Sequence, residues 1–157
     1  MRFFYVVFAT IMIALLAGCT SSGTSTSTPS TSNSKDVVRE YFTGGRLMSE
    51  FFITDPSTQS GILKKYGYDG KLTSTAEIKY GRKHGIETMY DPGGGVLQKT
   101  PYANDVINGE QIAYYEDGSP MISIQYVNGV KHGSYKTFKR DGSLYKEVIF
   151  KDGSVVR

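Results

Sequence analysis

The chain has one thiol, two imidazoles and 15 carboxylates, and their spacing decides which chemistry is open to it. His84 and His132 share the local sequence Lys-His-Gly, with Asn108 midway between them. In an array of hairpins that separation is about 20 Å, too far to share a metal ion. No second cysteine and no His-carboxylate cluster joins either ring, so both are read as turn residues bonding backbone. Asp69-Gly70, Asp117-Gly118 and Asp141-Gly142 invite a calcium reading. A calcium loop, however, converges several oxygen ligands within a short span, and each of these turns offers a single acid. No Gly-x-Ser-x-Gly elbow occurs, and neither His has a paired acid at a recognisable spacing. Gly93-Gly94-Gly95 lacks the Lys-Ser/Thr and following helix of a phosphate-binding loop. No catalytic set, cofactor or metal is expected, and an enzyme is the weakest reading.

The thiol leads elsewhere. Met1-Arg2 is a short positive start, and residues 3–16 run without a charge. As a helix that run spans about 21 Å against about 30 Å of hydrocarbon, too short for a spanning anchor, and it reads as the apolar part of an export signal. It ends in Leu16-Ala17-Gly18-Cys19, which resembles the bacterial lipobox. The resemblance implies that residues 1–18 are removed and that Cys19 becomes a lipidated N-terminus. Two or more acyl chains hold a protein stably at a membrane, at about 0.8 kcal/mol per buried methylene. Thr20 follows the cysteine where an Asp would signal retention, which by the sorting rule of Gram-negative lipoproteins implies the outer membrane. An ordinary signal with a buried free cysteine is the plain alternative.

Residues 19–34 are then a tether. Of the 15 residues 20–34, 12 are Ser or Thr, with nothing apolar to offset ordering entropy, so the segment is expected to stay disordered. Its root-mean-square reach is about 20–25 Å, and its stretched limit about 50 Å. A glycosylated stalk is the rival reading. The formal charge of +3 falls to +2 once Arg2 leaves with the signal, too even a balance to signal a nucleic-acid partner. A modest basic edge over residues 131–140 would favour anionic headgroups, although a solvated sheet surface explains it more simply.

The elements that must position all this are repeats. Gly61, Gly85, Gly109 and Gly133 recur every 24 residues, as do Gly70, Gly94, Gly118 and Gly142. Tyr66, Tyr90, Tyr114 and Phe138 keep the same step, and so do Tyr102, Tyr126 and Phe150. Residues 61–157 are therefore four 24-residue units, and residues 35–60 a degenerate first copy with Phe42 in the aromatic column. Each unit reads as a β-hairpin: the Asp-Gly pairs suit two-residue type I′ turns. Asp91-Pro92-Gly93-Gly94-Gly95 reads as a longer version of the same turn. The only helical alternative is a short turn near 35–42. Because 24 is even, the pleat stays in phase from unit to unit, and the even-numbered positions, which collect most of the apolar side chains, are expected to share one face. No unit can bury that face alone, so stability comes from its neighbours.

Gly-x-x-x-x-Tyr, a glycine turn, then an aromatic and Asn-Gly or Lys-His-Gly, is a pattern similar to the MORN (membrane occupation and recognition nexus) repeat. The nearest likeness is to bacterial variant-MORN proteins, some labelled as antitoxins. The resemblance implies an all-β, elongated single-layer antiparallel sheet of tandem hairpins and a binding or scaffold role without catalysis. Part of an aromatic row in a single-layer sheet stays open to a partner, so Tyr66, Tyr90, Tyr114, Phe138, Tyr102, Tyr126 and Phe150 are candidate partner contacts, with packing within the sheet as the alternative at each. The leading expectation is a lipid-anchored envelope protein whose sheet binds a protein or envelope component; the alternative is an immunity protein or antitoxin acting outside the cytoplasm.

Overall fold

A computed structural model describes residues 36–156. The export signal 1–18, Cys19 and the tether 19–34 lie outside the described residues. The chain forms one 12-stranded antiparallel sheet and, among those residues, no helix. In order the strands are Val37–Tyr41 (β1), Leu47–Asp55 (β2), Ser60–Tyr66 (β3), Leu72–Lys79 (β4), Arg82–Tyr90 (β5) and Val96–Ala103 (β6). Val106–Ile107 (β7), Gly109–Tyr114 (β8), Pro120–Val127 (β9), Val130–Phe138 (β10), Leu144–Lys151 (β11) and Ser154–Val155 (β12) follow. Strands pair in sequence order except that both β8 and the short β7 pair with β6. The chain meanders, as expected of tandem hairpins. The segment near 35–42 is strand β1, not a helical turn.

The two edges of the sheet carry different turns, and their assignment corrects the sequence reading. At the Asp-Gly positions the loop has three residues. Tyr115 N–H donates to Ser119 O, Gly118 N–H donates to Tyr115 O, and Asp117 Oδ1 accepts the Ser119 N–H at 2.8 Å. Only the glycine has positive φ, 82° at Gly118. A type I turn closed by one left-handed residue needs just that, with the Asp side chain bridging the backbone. Asp91 to Gly95 makes the same two backbone bonds, so it is the same turn and not a longer one. The two-residue type I′ turns lie on the opposite edge, at Tyr80-Gly81, Asn104-Asp105, Asn128-Gly129 and Asp152-Gly153, where both central residues have positive φ.

Just past each glycine turn the returning strand carries one extra residue, Thr73, Leu97, Met121 or Tyr145, which bulges from the ladder. Across the bulges odd residues pair with even ones: Lys65 with Ser74, Met89 with Gln98, Ala113 with Ile122 and Thr137 with Lys146. Directly opposed residues share a face. Outgoing strands therefore place odd residues where returning strands place even ones, and the expected single even-numbered face does not exist. Tyr66, Tyr90, Tyr114 and Phe138 lie on one face, here the front. Tyr102, Tyr126 and Phe150 lie on the back. In the first hairpin Tyr41 stands against Leu47 as Tyr66 stands against Leu72, so Tyr41 and not Phe42 occupies the aromatic column.

With no second layer, Ala76 is the one buried apolar residue among those described. Mid-strand positions hold small residues, Ser49, Ser74, Thr100 and Ser123, over which longer neighbours fold. Three of these hydroxyls are satisfied there: Ser49 Oγ donates to Glu40, Ser123 Oγ donates to Glu110, and Thr100 Oγ1 accepts from Gln98 and Gln111. Cross-strand ladders and side-chain pairs, each worth about 0.2–1 kcal/mol, take the place of a sandwich core.

Candidate functional site

The front column is tied back into the sheet. Tyr66 Oη donates to Glu50 at 2.7 Å, a bond that holds the Tyr66 phenol above its ordinary pKa and the Glu50 carboxyl below its own. Tyr90 Oη lies 3.3 Å from Thr75 Oγ1, and Lys99 sits 5.9 Å over the Tyr114 ring. Phe138 has no polar atom to tie, and its backbone carbonyl accepts the Tyr115 hydroxyl. On the back face Lys83 lies over Tyr102, whose phenol burial pushes up in pKa while Lys83 opposes the shift. Lys131 covers Phe150 and Tyr135, which pack at 6.3 Å. All seven expected contacts, Tyr126 included, are half-buried. The columns therefore serve first as packing between units, and the fold divides them over two surfaces instead of gathering them into one site.

Several open apolar side chains belong to a group the column argument passed over. Met89 and Leu97 are each 43% exposed, and Tyr145 is 71% exposed. Between the last two glycine turns a groove of about 460 Å³ is lined by Tyr115, Met121, Ile122, Thr137, Arg140 and Tyr145, and of the seven expected contacts Phe138 also reaches it. Arg140 stacks 5.0 Å over Tyr115 and lies 3.9 Å from Asp117. Thr137 Oγ1 is buried at this groove without a hydrogen-bond partner. Leu97, Met121 and Tyr145 are the bulge residues, one per unit, which is why they project where regular alternation would turn them away. The available signal in the sequence was an apolar residue at a fixed odd position in three successive units.

The imidazoles are turn fittings. Ser60, Asn108 and His132 stand at equivalent positions, and each offers a side-chain acceptor to the N–H of the residue opening the next two-residue turn. Tyr80 N–H points at Ser60 Oγ (3.4 Å), Asn128 N–H at Asn108 Oδ1 (3.3 Å) and Asp152 N–H at His132 Nδ1 (3.5 Å), an atom that lies closer, at 3.2 Å, to the Asp152 carboxylate. His84 holds the fourth such position, its Nδ1 buried without a partner. Among the described residues no three of His, Cys, Asp and Glu are grouped to hold a metal ion. The basic run is partly neutralised, with Lys136 3.7 Å from Glu147.

Compared with known protein families, the chain matches the MORN repeat variant three times, over residues 83–104, 107–128 and 131–152. The matches keep the 24-residue step of the glycine columns. They stop short of β3 and β4, which form a hairpin of the same kind. No curated protein matches the chain.

Proposed function

From a chain built of variant MORN repeats, a class with general roles in membrane and protein binding, we propose a lipid-anchored binding protein of the cell envelope. In this reading Cys19 carries the lipid, the Ser/Thr tether gives reach, the outer membrane is the site, and a protein partner docks on the sheet without any reaction being catalysed. The observation that carries the reading is the back-face groove: solvent-open Tyr145 and half-buried Met121 beside the unpartnered Thr137 hydroxyl, on a sheet with no second layer. Aromatic and methionine side chains around a polar anchor are the composition of interface centres.

Two measurements test it. Cys19→Ala should abolish acylation and move the protein out of the membrane fraction; retention with unchanged palmitate labelling ends the lipoprotein reading. In-cell crosslinking should capture a partner that Tyr145→Ala or Met121→Ala loses and that the front-face change Tyr114→Phe retains. Equal capture by all three variants ends the groove reading. The antitoxin alternative rests on the family label, and a captured toxin whose growth arrest is relieved by co-expression would establish it.

A further inference from the structure

The two ends of the sheet are complementary to each other. At one end β1 has an inner neighbour, β2, and among the described residues no outer one. At the other end β12 pairs only with Phe150 and Lys151, and Val156 N–H bonds Ile149 O. Among the described residues nothing pairs with the outer side of Leu144 to Val148. Both open stretches are five residues long and both adjoin a glycine turn. Open strand edges of this kind are templates for another strand.

The repeat fixes what such a strand should be. Within the array β10 lies against β9 with Tyr135 opposite Ile124, Lys136 opposite Ser123 and Thr137 opposite Ile122. One 24-residue step later, the strand after β11 should set its three equivalent residues against Val148, Glu147 and Lys146. β1 has the right form for that place. Tyr41 pairs with Leu47, one residue before a bulge, as Phe138 pairs with Leu144. Val38, Arg39 and Glu40 therefore stand where Tyr135, Lys136 and Thr137 stand in β10. β1 runs toward its glycine turn and β11 away from one, so the contact is antiparallel like every other in the sheet.

We propose that β1 of a second copy of this chain docks on the open edge of β11 in that register, Val38 on Val148, Arg39 on Glu147 and Glu40 on Lys146. The register brings two opposite-charge pairs and one apolar pair together, each with its members on the same face. On the front face it also joins two charge rows already present. Lys136 beside Glu147 (3.7 Å) would meet Arg39 beside Glu50 (2.9 Å), so that signs alternate across the junction. A shift of the register by one residue would turn each side chain to the wrong face. The contact uses different patches on the two copies, so it continues head to tail instead of closing into a dimer.

Charge exchange tests this on the full chain. Wild type should gain mass with concentration in sedimentation, while Arg39→Glu alone and Glu147→Arg alone should each stay at monomer mass. An equimolar mixture of the two variants should regain growth with concentration, because both junctions between unlike chains pair opposite charges, the exchanged pair at one and the native Arg39 and Glu147 at the next. Wild type that stays monomeric at millimolar concentration, or a mixture that stays at monomer mass, overturns the proposal. A second pair guards against misfolded variants. With Cys19→Ala as background, Val38→Cys chains mixed with Val148→Cys chains should form a disulfide-linked dimer under mild oxidation, and Val38→Cys mixed with Ser134→Cys should not. Equal linkage in both mixtures would mean random collision and overturns the register.

Discussion

Two glycine columns repeat with the same step, and substitution should separate them sharply. Gly118 has φ +82°, and an added Cβ would meet nothing within 4 Å. Gly118→Ala therefore carries only the left-handed backbone cost, about 1–2 kcal/mol. Gly109 has φ +117°, and its added Cβ would sit 3.1 Å from Pro101 Cγ and 3.4 Å from Pro101 Cβ. Pro101 is a closed ring in strand β6 and has no rotamer by which to withdraw. Gly109→Ala thus adds an overpacking cost of about 1–3 kcal/mol to the backbone cost, for a total of about 2–5 kcal/mol. Asn tolerates the left-handed region, so Gly118→Asn should recover most of the loss at the turn. Gly109→Asn should recover little, because the contact is made by Cβ itself. Urea unfolding followed by far-ultraviolet circular dichroism reads these differences as midpoint shifts at constant slope. If Gly109→Ala proves no more damaging than Gly118→Ala, or Asn rescues both positions equally, the separation of the columns into open turn and crowded strand position is wrong.

Other outcomes follow from the same geometry. His132→Asn should leave stability within about 0.5 kcal/mol of wild type, since Asn108 fills the equivalent position, whereas His132→Ala forfeits a side-chain-to-backbone bond of about 0.5–1.5 kcal/mol; thermal melts of both variants decide it. Acid should weaken the sheet. Hydrogen bonds from Tyr66, Ser57, Ser119 and Ser143 hold Glu50, Asp55, Asp117 and Asp141 respectively below the ordinary carboxylate range. The unfolded chain therefore takes up protons first, and stability that is fully present at neutral pH falls as pH drops through about 4 and below. At the alkaline end the sign reverses for Tyr66 and Tyr102, whose raised pKa values mean that stability is lost as pH climbs past the ordinary phenol range. A urea midpoint measured across pH 2 to 11 should form a plateau with both shoulders, and a midpoint that rises on acidification would contradict the acid assignment.

Much of the architecture was legible before any coordinates, because repetition is an amplifier: a glycine every 24 residues is weak evidence once and strong evidence four times over. The all-β class, the hairpin unit, the dependence of each unit on its neighbours and the turn role of His132 came from spacing alone. The resemblance to MORN repeats rested on the same columns and matches the family comparison over residues 83–152. The binding surface was less legible. Tyr114 and Tyr126 look alike in the sequence, both even-numbered aromatics in periodic columns, yet they face opposite ways.

That division is physical. Side-chain types and their period are properties of the chain, so composition and spacing determined that this protein would be a ribbon of strands with aromatic columns. Which face each column occupies depends on one bulged residue after every glycine turn, and a bulge is a property of pairing between two strands. Met121 and Tyr145 project into the groove for the same reason. The fit between the open edges of β1 and β11 likewise needed the register, since Arg39 and Glu147 are linked by nothing in the sequence until the ladder fixes which residue stands opposite which.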